Sequence, residues 1–522
     1  MKHLILDVNI VVDACTSRSS SVESVAAVAK AKAAGVALWV YAGSVQTLEF
    51  VLASEIVRLN AKRGFPLLTR ANAARRARLL LANFCSKTSW LAALSFEGNV
   101  FHTDDPEDEQ LLLALERFPA GTAKLLTNDK QMLKKSPEKT VTPSVWLAEK
   151  NQAAPIEFIN LKTQQDFIRP NLEVNIHRVL HHGQYIMGPE IKQLEEKLAQ
   201  YVGVKHCVTC ASGTDALLIA LMALDIGSGD EVITVPYTWI STAEVIALLR
   251  AKPVFVDIRP DTFNMDPDIL EAAITPRTKA IMPVGIYGQC ADMTRINQVA
   301  DKHGIPVIED AAQCFGATHC GKKACNLSLI GCTSFFPSKP LGCYGDGGAI
   351  FTEDDDLADK MCQIRIHGQK IKHQHPLVGI NGRLDTLQAA ILLEKFTLFP
   401  EECDLRAHVG KRYDALLGGI PGIQSPVIAN GNTSVYAQYT ILSSNRDRLS
   451  QFLKEKGIPS VAYYPAPLHL QCAFANLNHK SGDFPVAEQV SAQCLSLPMS
   501  PYLTMKEQEM VAEAIKGSIG FL

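Results

Sequence analysis

Short apolar runs and apolar stripes at helical spacing alternate along most of this 522-residue chain. From about residue 200, EVITVPY, PVFVDI, KAIMPVGIYG, IPVIED, GCTSFF and GGAIFT have the length and β-branched content of buried strands. KHCVTCASG reads as one more. Between or after them, ASGTDALLIALMALDIG, MTRINQVADKHG and RLDTLQAAILLEKF repeat apolar residues as helices do. After about residue 400 the texture changes to a smaller α+β region, with YAQYTILS as a strand and DRLSQFLKEKG as a helix. The first 150 residues alternate too. Strands are expected in LILDVNIVVD, KLLTND and near TVTPSVWLA, and helices in VESVAAVAKAKAAG, SVQTLEFVLASEIVRLNAKR, ANAARRARLLLANF and PEDEQLLLALERF. Such alternation predicts a parallel sheet in an α/β fold.

The polar, proline-containing stretch EKNQAAPIEF separates the two patterns. The predicted organisation is a first domain over 1–148, a linker at 149–157, a large domain over 158–400 and a small one over 401–522. This length exceeds the roughly 250–300 residues at which one core stops growing. Charge separates the halves as well. Residues 1–150 hold 19 basic and 15 acidic residues, and the remainder holds 32 and 39, which points to different partners. No apolar run approaches the ~20 residues of a membrane span. The 14 cysteines are scattered without the spacing of a disulfide framework, as expected in the reducing cytoplasm. Cys207 and Cys210 form one CxxC, with no second pair at zinc-like spacing.

Chemistry enters with Lys339, in TSFFPSKPLGCYGDGGA. Ser, Pro and Gly around it describe a shaped loop. Upstream, IPVIEDAAQ puts Asp310 at a strand tip. A lysine and such a carboxylate meet two needs of pyridoxal phosphate: a Schiff-base partner and an acid for the ring nitrogen. A phosphate cradle is expected at CASGTDALLIA, where Ser212, Gly213 and Thr214 open a helix whose N–H groups attract anions. An ordinary N-cap accounts for the same residues. Ser334 adds a hydroxyl to this cradle. Trp239, in PYTWISTAE, offers an aromatic face for the pyridine ring, or a core position. Gln313 offers a hydrogen bond to the ring's phenolate oxygen, or a solvated helix residue.

The order SGTDAL, PYTWISTAE, EDAAQ, SFFPSKPLG, together with GQYIMGPEI, YGQCADM, CYGDGGAI, GINGRLDTLQAA and YYPAPLHLQ, resembles the DegT/StrS family of sugar aminotransferases. The resemblance runs from about FINLKTQQ to the C-terminus. It implies the fold-type I, aspartate-aminotransferase-like architecture. It also implies that Lys339 is the Schiff-base lysine, Asp310 the ring-nitrogen acid, Gln313 the phenolate contact and Trp239 the stacking residue. Gly213, Thr214 and Ser334 become the phosphate cradle. Asn381 becomes the residue that reaches the phosphate from a neighbouring subunit, so a homodimer with shared sites is implied. Relatives with histidine at the lysine position act as dehydratases; this chain keeps Lys339. GKKACNLSLIGCTSFFPSKPLGCYGDGGA and YGQCADM most resemble the subgroup acting on UDP-2-acetamido-2-deoxy-3-oxo-glucuronate with glutamate, in surface-polysaccharide synthesis. Arg383 is a carboxylate-recognition candidate, because a guanidinium binds carboxylates bidentately. His469 and Tyr185 are further substrate candidates. Gly285 departs from the family, where many relatives carry a larger or polar residue. Another nucleotide-keto-sugar, or a non-catalytic cofactor-binding regulator, are the alternative readings.

In the first half the signal is acidic: Asp7, Glu49, Asp108 and Asp129, with Asp104 or Asp105 as substitutes for Asp108. Asp7 and Asp129 follow strands, where parallel sheets gather functional groups. Clustered carboxylates bind Mg2+ or Mn2+ and support phosphodiester hydrolysis. LILDVNIVVD, TLEFVL, PEDEQLLLA and LLTND resemble the PIN-domain nucleases. The resemblance implies a parallel-sheet domain and an RNA partner. RLNAKRGFPLLTRANAARRAR suits RNA phosphates, or is a solvated helix face. An active nuclease and an inactive PIN-like module both remain open.

Overall fold

The computed structural model describes residues 156–518 and, before them, residues 3–6, 11, 28, 37–41, 89–91, 123–127 and 140–141. The chain forms two compact units, Met1–Ala154 and Pro155–Leu522.

In the first unit β1 (His3–Leu6), β2 (Ala37–Tyr41), β3 (Ser89–Leu91), β4 (Ala123–Leu126) and β5 (Thr140–Val141) form one sheet in the order β3-β2-β1-β4-β5. Every pairing is parallel. The strand order reverses between β1 and β4, which end at Leu6 and Leu126. Asp7, Glu49, Asp104, Asp105, Asp108 and Asp129, with the basic stretch, lie outside the described residues.

The second unit opens with α1 (Leu161–His182) and α2 (Pro189–Val202). Asn160 caps α1 by accepting from Thr163 N at 2.9 Å. The strands follow: β6 (His206–Cys210), β7 (Glu231–Thr234), β8 (Lys252–Phe255), β9 (Thr278–Ile281), β10 (Ile308–Asp310), β11 (Ile330–Ser334) and β12 (Gly348–Thr352). They form two ladders, β8-β7-β9 and β10-β11-β12-β6. Parallel bridges Ile281–Val307 and Val284–Asp310 join these into one layer. Only β12, antiparallel to both neighbours, breaks the parallel run from β8 to β11. Helices α3 (Gly213–Ala223), α4 (Ser241–Leu248), α5 (Met293–His303), α6 (Asp355–Arg365) and α7 (Thr386–Lys395) accompany the sheet. Strands buried on both faces need continuous apolar runs, which is why they stand out in the sequence.

Helix α8 (Phe399–Leu417) joins two cores. Its Phe399 stacks on Phe315 at 5.5 Å in the large core. Val409, Tyr413 and Leu417 pack in the second core with Tyr439, Ile441 and Leu495. There β13 (Ile423–Gln424), β14 (Tyr439–Ser443) and β15 (Cys494–Leu497) pair antiparallel, beside α9 (Arg446–Glu455), α10 (Pro485–Gln493) and α11 (Met505–Ser518). Each buried aromatic of this kind stabilises by roughly 1.5–3 kcal/mol. Arg365 is buried; its Nη1 donates to Glu195 Oε1 at 2.6 Å and to Thr209 O at 2.7 Å, tying α6 to α2 and β6. No helix among the described residues is long and apolar enough to cross a membrane.

Candidate active site

Asp310 ends β10, paired with Cys332 of β11 and bridged to Val284 just beyond β9. Carboxyl ends of parallel strands are where α/β sheets hold their ligands. Asp310 is buried. Its Oδ2 accepts from Thr242 Oγ1 at 2.8 Å and its Oδ1 from Ala312 N at 3.2 Å. Burial pushes its carboxyl up, while Thr242, Ala312 N–H and Lys339 pull it back. Lys339 follows the Phe336–Ser338 turn and is half-buried; its own N–H donates to Phe336 O at 2.8 Å. Burial pushes its ammonium down from the ordinary lysine value, against the pull of Asp310. Asp310 and Lys339 thus attract one another electrostatically. That pair is the centre of the site.

Gln313 is buried on the same loop. Its Oε1 accepts from Tyr287 N at 2.9 Å, and its Nε2 donates to Tyr464 Oη at 3.2 Å. Tyr287 takes a positive φ of 58°. Trp239 is 56% exposed, so it is a surface aromatic, not a core one. Its ring tilts against Tyr464 at 5.8 Å. Trp239, Tyr464, Gln313 and Asp310 therefore form one connected wall.

The expected cradle has a defined geometry. Ser212 caps α3 by accepting from Asp215 N at 3.0 Å. Thr214 Oγ1 bonds Ser241 Oγ at 2.8 Å. A Cβ on Gly213 would lie 2.6 Å from Ser334 Cβ, so only glycine lets the α3 N-terminus meet β11. Ser334 Oγ accepts from Phe336 N at 3.3 Å. Gly213, Thr214 and Ser334 are thus brought together three residues from the turn that carries Lys339. The set fits pyridoxal phosphate: a buried acid facing a lysine, an open aromatic face, and an anion-attracting helix N-terminus closed by a hydroxyl.

The remaining sequence candidates are placed as follows. Ala211 N donates to Gly382 O at 2.9 Å, so the NGR segment runs beside the cradle's entrance. Within it Asn381 is exposed and bridges Ile366, and Arg383 is half-buried, with no hydrogen-bond partner for its Nε among the described residues. Thr386 N donates to Tyr185 O at 3.0 Å, which aligns the exposed Tyr185 with that segment. His469 is enclosed instead: 2% exposed, bonded through Nε2 to Glu488 Oε1 at 3.0 Å, with its ring 4.8 Å from Phe484. Burial pushes its imidazole down, against Glu488. Gly285 is buried too. A Cβ there would lie 2.2 Å from Cys314 Sγ, so a thiol fills the space that a larger residue needs. Thr242 and Tyr464 were not singled out from sequence. Thr242 lies three residues after Trp239, and Tyr464 sits inside YYPAPLHLQ; neither pattern announces its partner.

The sequence model of the DegT/DnrJ/EryC1/StrS aminotransferase family matches residues 168–516. The chain belongs to that family. Over 360 residues it is 56% identical to the UDP-2-acetamido-2-deoxy-3-oxo-D-glucuronate aminotransferase of Pseudomonas aeruginosa, covering 69% of this chain and 99% of that one. Among solved structures, S. venezuelae DesV in complex with a ketimine intermediate aligns with a TM-score of 0.69 at 38% identity, over 70% of this chain and 98% of DesV. NtdA from Bacillus subtilis, with bound cofactor PMP, aligns at 0.66 and 31%, over 71% and 86%. The second unit is therefore an α/β aminotransferase fold of the pyridoxal-phosphate-dependent sugar aminotransferases.

Proposed function

We propose that the second unit transfers the amino group of glutamate to UDP-2-acetamido-2-deoxy-3-oxo-glucuronate, a step in surface-polysaccharide synthesis. The observation that carries the reaction type is the buried Asp310 at the tip of β10, in electrostatic reach of the half-buried Lys339. The substrate reading is supported by the 56% identity that spans nearly all of the Pseudomonas aeruginosa aminotransferase.

Pyridoxal phosphate, when bound, supplies an electron sink and a carrier for the amino group. Lys339 would hold it, Asp310 its ring nitrogen, Gln313 and Trp239 its ring, and Gly213, Thr214 and Ser334 its phosphate. Lys339 Nζ would take up the proton that the donor's α-carbon loses and give it back in the proton shift that completes the half-reaction. Its lowered ammonium pKa leaves more of the free amine for that role. Thr242 holds the orientation of the Asp310 carboxylate through its 2.8 Å hydrogen bond. Arg383 takes a carboxylate of glutamate or of the uronate; Tyr185 lies alongside. His469, already held by Glu488, is assigned to shaping the wall behind Trp239 through Leu468, whose N–H donates to Pro236 O at 2.7 Å. Asn381 reaches the phosphate of a second copy in a homodimer. The exposed Val378, Ile371, Phe336 and Met187 support such a partner surface.

The test is a panel of UDP- and dTDP-linked 3-oxo and 4-oxo sugars, offered with glutamate and read as 2-oxoglutarate released. The UDP-3-oxo-uronate is expected to turn over fastest. Faster turnover of a 4-oxo sugar would sink the substrate assignment.

For the first unit we propose a PIN-type ribonuclease that uses Mg2+ or Mn2+ on RNA. Its support is the five-stranded parallel sheet, which reverses order between β1 and β4. Those strands end directly before Asp7 and three residues before Asp129. Magnesium-dependent cleavage of RNA should disappear in Asp7→Asn; equal cleavage by both proteins would favour the inactive module.

A further inference from the structure

Behind the candidate active site lies a cluster that the amino-transfer reaction does not use. Successive side chains of a strand point to opposite faces. Asp310 faces Thr242, and the preceding Glu309 faces the other way, into the core beside Cys325. Glu309 is 2% exposed. Its Oε2 accepts from Cys325 N at 2.7 Å; its Oε1 has no hydrogen-bond partner. The Leu327 N–H also pulls on this carboxyl as a backbone hydrogen-bond donor, second to Cys325. Around it are the thiols of Cys290 and Cys314, both free and buried. The donor atoms of Cys290, Glu309 and Cys314 all lie within 4.8 Å of one another, the one such grouping found among the described residues.

We propose that Cys290, Cys314 and Glu309 bind a thiophilic divalent cation, with zinc the expected occupant. Zinc takes cysteine sulfur and carboxylate oxygen among its ligands, and three protein donors leave one tetrahedral position open. Zinc–sulfur bonds of about 2.3 Å place two sulfurs roughly 3.8 Å apart in a tetrahedral site, so the donors need to close by at most about an ångström. Binding releases the two thiol protons and the carboxyl proton to solvent, and the unpartnered Oε1 gains its partner. Gly285 is part of the design: its missing Cβ leaves the space in which Cys314 Sγ sits.

The cation has a way in. Cys290 lines a cavity of about 440 Å³ with Asp261, Asp292, His319 and Cys320. Arg259 and Arg295 also line it, but each is paired with an aspartate, Arg259 with Asp261 at 3.0 Å and Arg295 with Asp268. His319 is not a fourth donor, because its Nδ1 is held by Asn432 at 2.7 Å and its Nε2 by Thr294 at 2.7 Å. The fourth position is left to water from the cavity. The site adjoins Asp310 through Glu309 and Gln313 through Cys314, so its occupancy fixes the loop that presents both.

The experiment uses the full chain, stripped with a chelator under reducing conditions and titrated with cobalt and with zinc. Cobalt should give a near-ultraviolet thiolate charge-transfer band that saturates at one ion per chain, and zinc should abolish it. Carboxylate-only sites of the first unit give no such band. Cys314→Ala and Glu309→Gln should each weaken zinc binding by more than the roughly 10–100-fold typical of an outer-shell partner. Cys320→Ala, an exposed thiol at the cavity, should leave it unchanged. Absence of the thiolate band in the wild-type chain overturns the proposal, whether or not the variants fold. So does a band that survives both Cys314→Ala and Glu309→Gln. These readings are independent of amino transfer.

Discussion

Thr242 Oγ1 donates a 2.8 Å hydrogen bond to Asp310 Oδ2, from the first turn of a helix to the tip of a strand 68 residues later. Thr242 also bonds Thr238 Oγ1 at 3.0 Å, so the hydroxyl is held from both sides. A hydrogen bond to a charged group is worth about 1.5–3 kcal/mol. Thr242→Val keeps the side-chain shape and removes the donor. It should lower kcat about tenfold, with little change in the KM for glutamate. An unchanged kcat would mean that Asp310 needs no such support.

Gly285→Ala tests whether the thiol of Cys314 is the reason for the glycine. The added Cβ would meet Cys314 Sγ at 2.2 Å and Cys314 Cβ at 2.9 Å. Overpacking of this kind destabilises by about 1–3 kcal/mol. Adding Cys314→Ala should restore part of the loss, since its Cβ stays. Thermal unfolding of the two variants checks this. If the double variant is no more stable than Gly285→Ala, the crowding lies elsewhere.

Lys395 carries the clearest pH signature. It is buried at the end of α7, over the Tyr344 ring at 4.9 Å, near Glu402 and Cys343. Burial brings its ammonium from 10.5 down to about 8, against the pull of Glu402 and Cys343. Between these values the unfolded chain binds more protons than the folded one, so stability rises with pH from about 8 to 10.5. The full difference corresponds to about 3 kcal/mol. Lys395→Met should be the more stable protein at pH 7, and its advantage should shrink toward pH 10. Urea midpoints across that range measure the difference; a constant gap would contradict the shift.

The strands of the second unit were legible because burial on both faces leaves no polar alternation to confuse with a helix. Asp310 at the end of β10 and Lys339 in a turn beyond β11 followed from that pattern. The cradle segment read both ways in sequence; in the structure Ser212 is an N-cap, and Gly213 meets Ser334. Thr242 and Tyr464 were missed because their roles depend on contacts across 68 and 151 residues of chain. Gly285 looked like an altered substrate contact; its reason, Cys314, sits 29 residues away in sequence and invisible to it. Trp239 and His469 could not be ranked by type alone, and the structure exposes the first and encloses the second. Helix α1 gave no strong amphipathic signal and contains a proline at 170, a breaker in most contexts. In the first unit β2 and β3 are short runs between helical patterns, and were passed over.

The most direct test follows nitrogen itself. Glutamate labelled with 15N, given with UDP-2-acetamido-2-deoxy-3-oxo-glucuronate, should yield a product amine at C3 that carries the label. Lys339→Ala should lower that transfer at least about a thousandfold while the protein stays folded. Labelled product formed by Lys339→Ala at a rate near the wild-type one would contradict the account.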